Sequence, residues 1–281
     1  MSVAYIGRLA PSPTGLLHLG HAATFWTAYE RSQARGGVLR LRNEDLDPHR
    51  SRAEFVAAML EDLQWLGIEW SRAVVTQSER LPEYQKALDR LLEEGWVYPC
   101  RCSRRDLAQM TQAPHENHDE EPVYPGICRP AQERLGGAFE PGTNYRFRVP
   151  EGAAIEFEDG NLGPQRFTAG RDFGDFLVWR KDGVPSYQLA CVVDDAAMAI
   201  TEVVRGRDLL QSTARQLLLQ RALGLPAPAY FHTSLLVDAN GVRLAKRHDA
   251  LALRTLRERG CSPEEVRAMF SANRTGVIAQ A

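Results

Sequence analysis

The sequence predicts an α/β protein, a doubly wound parallel sheet that carries an inserted α+β subdomain and ends in a short helical tail. Three observations carry this. Strand-like apolar runs alternate with amphipathic helical patterns up to about residue 99; the texture then breaks at Cys100; and alternating sequence returns near Tyr187. The expected divisions are therefore 1–99 for the first half of the sheet domain, 100–186 for the insert, 187–240 for the second half, and 241–281 for a basic loop and tail.

Each element has its own signal. "VAYIGRLA" reads as a strand and "TFWTAYERSQARGG" as a helix closed by Gly36 and Gly37. "VLRLRNEDLD" begins a second strand, and "SRAEFVAAMLEDLQWLG" places Phe55, Met59, Leu60, Leu63 and Leu66 at helical spacing. A third helix follows over "SERLPEYQKALDRLLEEG", with Ser78 as candidate N-cap and Tyr84, Leu88, Leu91 and Leu92 on its apolar face. Within the insert, "NYRFRVP" and "FLVWRKDG" are strand-like, and Gln112 to Pro122 is an acidic solvated loop. "YQLACVVDD" and "AITEVVRG" resume the alternating pattern, and Leu210, Leu217, Leu218 and Leu219 contribute to the buried stripe of a further helix. "DANG" signals a turn, and "LRTLRERG" and "SPEEVRAMF" are the helical pieces of the tail.

Composition excludes several classes. Thirty-four basic against thirty-six acidic residues give a formal charge of −2, so a nucleic-acid partner must be held by a local patch. No apolar run approaches the roughly 20 residues of a membrane span, and no signal peptide opens the chain; a cytoplasmic monomer is expected. Five cysteines are an odd number, and Cys100, Cys102 and Cys128 cluster, which in a reducing compartment favours metal ligation over disulfides. Cys191 and Cys261 lack a partner pattern and read as small core or surface residues.

The most informative stretch is "GRLAPSPTGLLHLGH". A proline-stiffened turn from strand to helix brings backbone N–H groups and a helix N-terminus to the carboxyl end of a parallel strand, where polyanions bind. His18 and His21 lie three residues apart, on one face of a first helical turn. "APSPTGLLHLGH" resembles the first signature of the glutamate and glutamine branch of class I aminoacyl-tRNA synthetases, here with "HLGH" as its core. "RNEDLDPHRS", "YQLACVVDD" and "ITEVVRGRDLLQST" resemble further segments of that branch in the same order. "RLAKR" stands at the second signature, with Arg243 and Ala245 departing from the usual lysine and serine.

This resemblance implies a Rossmann-like catalytic domain that attacks the α-phosphorus of ATP with an amino-acid carboxylate, Mg²⁺ accompanying the ATP. It implies that His18, His21 and Lys246 are catalytic, and that His18, Gly20, His21 and Lys246 hold ATP. It places L-glutamate against Arg8, Leu9, Ala10, Pro11 and Ser12, with Glu44 on the ammonium and Tyr187 and Arg205 completing the pocket. Arginine favours glutamate over its neutral amide, because a bidentate ion pair discriminates charge better than shape does.

Spacing alone leaves the fourth partner of the three thiolates open, and His115 and His118 are chemically reasonable. Resemblance to short relatives carrying Cys-x-Cys followed by Tyr-x₃-Cys points instead to a structural Zn²⁺ held by Cys100, Cys102, Tyr124 and Cys128. About thirty residues follow "RLAKRHDA", too few for the helical anticodon-reading region of the longer enzymes. The expected acceptor is thus that of the short relatives: the queuosine base at the wobble position of tRNA(Asp), with the anticodon loop entering the catalytic cleft. Conventional charging of tRNA(Glu), a non-catalytic RNA- or protein-binding module, and a nucleotidyltransferase with another substrate are the alternatives.

Overall fold

A computed structural model describes residues 4–102, 123–131, 136–236 and 251–271. Lys246, Arg243 and Ala245, the histidines His115 and His118, the "DANG" turn and the acidic loop Gln112 to Pro122 lie outside the described residues.

Strands β1 (Ile6–Leu9), β2 (Val38–Asn43) and β3 (Val75–Thr76) form a parallel sheet in the order β1-β2-β3, with Ile6 opposite Val38 and Arg42 opposite Val75. Helix α1 (Leu19–Ala34) crosses between β1 and β2, and α2 (Ala53–Trp65) between β2 and β3. Gly36, at φ +59°, supplies the left-handed residue that ends α1. Helix α3 (Leu81–Glu93) then leads to β4 (Val97–Cys100), which pairs antiparallel with β5 (Asn144–Phe147), itself antiparallel to β8 (Phe176–Trp179).

The second parallel set is β9 (Glu202–Gly206) beside β10 (Ala229–Thr233), with α5 (Leu210–Leu223) between them. Strand β9 lies against β1, where the Thr201 N–H donates to the Ile6 carbonyl at 2.8 Å. Strand order thus reverses between β1 and β9, and the crevice beyond their carboxyl ends is where doubly wound sheets bind ligands. The hairpin of β6 (Ala154–Asp159) and β7 (Gly163–Thr168), although within 100–186, leaves the β4-β5-β8 sheet and pairs with β10 through Asp159 opposite Tyr230.

Two apolar cores support these layers. One joins Leu9, Leu39 and Leu41 of the sheet to α1, α2 and the tail helices α6 (Leu253–Glu258) and α7 (Pro263–Ser271). The other packs Tyr84, Leu88, Leu91 and Leu92 of α3 against β4, β5, β8 and α5; α5 is buried on nearly every side from Ser212 to Gln220, so Leu217, Leu218 and Leu219 form no single stripe, and Leu210 is only half-buried.

Two local expectations change. "YQLACVVDD" is not a strand but helix α4 (Tyr187–Ala197), begun by the Ser186 hydroxyl accepting from the Leu189 N–H. Its continuous apolar run is buried among α3, α5 and β8, so no amphipathic period marks it. Ser78 is no N-cap of α3; it sits in the 3₁₀ turn Gln77–Arg80, where its N–H and hydroxyl both donate to Asp45. Among the described residues no helix is long and apolar enough to cross a membrane.

Candidate functional site at the carboxyl ends of β1 and β9

A cleft of about 610 Å³ opens at the strand-order reversal. It is lined by Arg8, Ala10, Pro11, Ser12, His18, Gly20, His21, Glu44, Tyr187 and Arg205. Leu9 is not among the lining residues: strand alternation turns it into the core, where it is fully buried. The turn after β1 is held open by the Glu44 N–H donating to the Pro11 carbonyl at 3.0 Å.

At one end stands the first turn of α1. His18 caps this helix in extended conformation, and its backbone N–H donates to His21 Nδ1 at 3.2 Å, which fixes the two rings 6.0 Å apart. A Cβ on Gly20 would meet nothing, so bare backbone faces the cleft there. The positive end of the helix dipole and two imidazoles suit a polyanion. The segment 237–250, which contains Lys246, is flanked by residues at this end: Leu235 and Leu236 line the cleft, and Ala252 bridges to His18.

The other end is cationic. Arg8 donates from Nη1 to the Val204 carbonyl at 2.7 Å. Arg205, only 4% exposed, donates to Gln216 at 2.9 Å, Thr213 at 2.7 Å and His232 Nε2 at 3.2 Å, and meets the Tyr187 hydroxyl at 3.4 Å. All these partners are neutral, and among the described residues no carboxylate pairs with Arg205. A buried guanidinium so placed can receive a ligand carboxylate. Behind it, His232 Nδ1 lies 2.6 Å from Asp159 Oδ2. Burial, and then the Arg205 charge, lower His232 to about 4, so the ring is neutral at ordinary pH. For Asp159, burial opposes ionisation, but hydrogen bonds from His232 and from the backbone N–H groups of Leu162 and Asn161 prevail and lower it.

The floor is an ionic network. Fully buried Arg42 donates to Asp195 at 2.6 Å and to Glu44 Oε1 at 2.9 Å, and Asp194 lies 3.9 Å away. The Cys191 thiol sits 3.5 Å from the same Glu44 oxygen, so Cys191 belongs to this floor and not merely to apolar packing. Glu44 therefore reaches the cleft as a carboxylate already fixed by Arg42, a suitable counter-charge for an ammonium group. Sequence reading missed Arg42, Asp159, Asp194, Asp195 and His232. The adjacent aspartates closing the apolar "YQLACVV" run were the one available signal, since buried carboxylates need partners.

A second site lies in the β4-β5-β8 unit. The sulfurs of Cys100, Cys102 and Cys128 fall within 4.8 Å of one another, with Cys102 and Cys128 at 3.6 Å. The Tyr124 oxygen stands 3.6 Å from Cys100 Sγ and 3.5 Å from Cys102 Sγ. Tetrahedral ligation with metal–sulfur bonds of about 2.3 Å requires sulfur separations of roughly 3.8 Å, so the donor set fits a metal ion. Arg146 donates to Cys100 at 3.3 Å and its guanidinium lies 3.9 Å over the Tyr124 ring, while burial raises Cys102 and Tyr124 above their ordinary values. Burial opposes ionisation of Cys128, but hydrogen bonds from the Arg101 backbone and from Tyr124 prevail and bring it to about 7.

Residues 6–278 match the family described as tRNA synthetases class I (E and Q), catalytic domain. The chain belongs to this class I synthetase family. The Glutamyl-Q tRNA(Asp) synthetase of Symbiobacterium thermophilum is 47% identical over 271 residues, covering 92% of this chain and 83% of that protein. The protein of the same name from Nitratidesulfovibrio vulgaris is 44% identical over 284 residues, covering 97% and 85%. Among solved structures, a glutamate tRNA ligase from Elizabethkingia meningosepticum in complex with its amino acid superposes with a TM-score of 0.72 at 27% identity over 92% of this chain. The chain spans about half of that ligase, 54% of its length. The class I synthetase fold accounts for the parallel sheet and for a cleft at its reversal.

Proposed function

We propose that this protein activates L-glutamate with ATP and transfers the glutamyl group to the queuosine base at the wobble position of tRNA(Asp). The observation that carries the first step is the two-ended cleft, with a helix N-terminus and His18 and His21 at one end and an Arg205 unpaired with any described carboxylate at the other. The relatives named Glutamyl-Q tRNA(Asp) synthetase support the acceptor.

In this reading Arg205 and Tyr187 take the side-chain carboxylate, Glu44 takes the ammonium, and Arg8 with Ala10, Pro11 and Ser12 holds the α-carboxylate toward the nucleotide. Leu9 supports that turn from the core. An α-carboxylate oxygen attacks the α-phosphorus, the bond to the β-phosphate oxygen breaks, and pyrophosphate leaves. His18, Gly20, His21 and Lys246 hold the phosphates and stabilise the developing charge. Mg²⁺ bound with ATP supplies further charge neutralisation. A hydroxyl of the queuosine base then displaces AMP from the adenylate and forms the ester. Cys100, Cys102, Tyr124 and Cys128 hold a structural Zn²⁺, as their spacing and the three soft thiolates favour. Segments 1–99 and 187–240 are the two halves of the catalytic domain, the insert 100–186 carries the zinc, the segment 241–281 supplies the tail and the signature loop with Lys246, and the enzyme acts in the cytoplasm.

The test combines the protein with labelled glutamate, ATP, and purified tRNA(Asp) or tRNA(Glu), each with and without queuosine. Label is expected only in queuosine-containing tRNA(Asp). Label confined to tRNA(Glu) means conventional charging, and absence of glutamate-dependent pyrophosphate exchange overturns the activation step itself.

A further inference from the structure

The hairpin β6-β7 comes from within the inserted segment, yet its Asp159 is buried behind the cationic end of the cleft. Asp159 accepts from the His232 backbone N–H, at 3.2 Å through Oδ2, and from the ring Nδ1 at 2.6 Å through the same oxygen. It also closes its own turn by accepting from the backbone N–H groups of Asn161 and Leu162 at 3.0 and 2.9 Å. A carboxylate held this tightly fixes which ring nitrogen of His232 carries the proton. Nδ1 is the donor, and Nε2 is left as the acceptor that meets Arg205 Nε at 3.2 Å.

We propose that Asp159 and His232 are positioning residues for substrate selectivity: the neutral ring orients Arg205 while keeping a protein carboxylate from neutralising it. The inference rests on the glutamate-activating reading above and deepens it. A carboxylate placed directly on Arg205 would orient the guanidinium equally well but would compete with the ligand's side-chain carboxylate. An imidazolium in the same place would repel the guanidinium itself. A neutral imidazole fixed by Asp159 avoids both, and Thr213 and Gln216 complete the frame with uncharged acceptors. Among the described residues four of the five Arg205 N–H donors have a protein partner, the weakest being Tyr187 at 3.4 Å, which leaves one donor and that weak contact for a ligand. The insertion thereby sets the selectivity of a pocket to which it contributes no described lining residue.

The experiment measures glutamate-dependent pyrophosphate exchange in the full chain for Asp159→Asn, His232→Gln and His232→Glu, with thermal melts to establish folding. His232→Glu is expected to raise the KM for glutamate about a hundredfold and to lower the preference for glutamate over glutamine, with the KM for ATP unchanged. Asp159→Asn, which frees the tautomer, is expected to raise the KM for glutamate about tenfold. His232→Gln, which keeps a neutral acceptor, should rescue most of the loss seen with glutamate at that position. A merely structural role would instead lower kcat or the melting temperature and leave the glutamate KM alone. A folded His232→Glu protein with wild-type glutamate KM overturns the proposal. Nitrogen-15 shifts of the His232 ring give a reading independent of substrate: a neutral ring protonated at Nδ1 is expected at pH 7, and an imidazolium there overturns the relay. If the wild type shows no glutamate-dependent exchange, the proposed function fails, and the ring's protonation still decides the relay.

Discussion

Arg42 donates from Nη1 to Asp195 Oδ1 at 2.6 Å, and this pair ties the end of β2 to helix α4 directly beneath the cleft. Neither residue is surface-accessible enough for solvent to replace its partner. The pair joins the two halves of the chain that bracket the insert, because β2 precedes it and α4 follows it. Glu44, on the same guanidinium, carries that connection up to the pocket wall.

Arg42→Met should therefore cost more than the substitution of an ordinary ion pair. It leaves Glu44, Asp194 and Asp195 buried around an apolar side chain, and breaking one side of a buried pair costs about 3–5 kcal/mol. Urea denaturation is expected to show a correspondingly lower midpoint. A loss under about 1 kcal/mol would mean that water enters the network freely.

Arg205→Ala presents the opposite case. Its partners Gln216, Thr213 and His232 are neutral, so removing the cation strands no charge and the fold should survive. Glutamate-dependent pyrophosphate exchange is expected to fall at least about thirtyfold in kcat/KM, the equivalent of losing about 2 kcal/mol of charged recognition. Arg205→Lys should not restore it, since an ammonium cannot span Thr213, Gln216 and His232 at once. An undiminished rate in the alanine variant removes Arg205 from the pocket.

The contrast between these two arginines shows what was legible in the sequence. Arg205 stood at the end of a recognisable strand, "ITEVVRG", and next to a motif; Arg42 stood inside one, between Leu41 and Asn43, where nothing local distinguishes a buried charge. Strands β1 and β2 and helices α1 to α3 were readable because period and terminal glycines agreed. Helix α4 was not, because its run from Leu189 to Val193 is continuously apolar and Val192 and Val193 mimic a strand. The Asp159–His232 contact joins residues 73 apart through the single pairing of β6 with β10, and no spacing rule reaches that far.

The cysteine site yields a prediction that needs no substrate. Protein purified without chelator is expected to carry one zinc per chain, and chelation should lower its melting temperature. Tyr124→Phe keeps the ring under Arg146 but removes the oxygen that stands 3.5 Å from Cys102 Sγ, so it should weaken zinc retention about tenfold or more while the apo-protein melts much as the wild type does. Unaltered zinc binding in that variant would exclude Tyr124 from the donor set, and metal-free wild type would exclude the site.

Asp62 supplies a pH dependence with a definite sign. It lies on α2 fully buried, and among the described residues neither carboxylate oxygen has a hydrogen-bond partner; Arg257 approaches only to 3.9 Å. Burial raises it from 3.8 to about 6. The folded protein thus holds this proton through a range in which the unfolded chain has already lost it, so the contribution is fully present below pH 3.8 and is lost as pH rises to about 6. The loss amounts to about 3 kcal/mol, reached by pH 7 and constant above it. Asp62→Asn has the same shape and no proton to lose. It should be more stable than the wild type at pH 8 by up to that amount and nearly equal to it at pH 4, as measured by urea midpoints across the range. Parallel stability curves for the two proteins between pH 4 and 7 would show that Asp62 is ionised in the fold with Arg257 as an effective counter-ion.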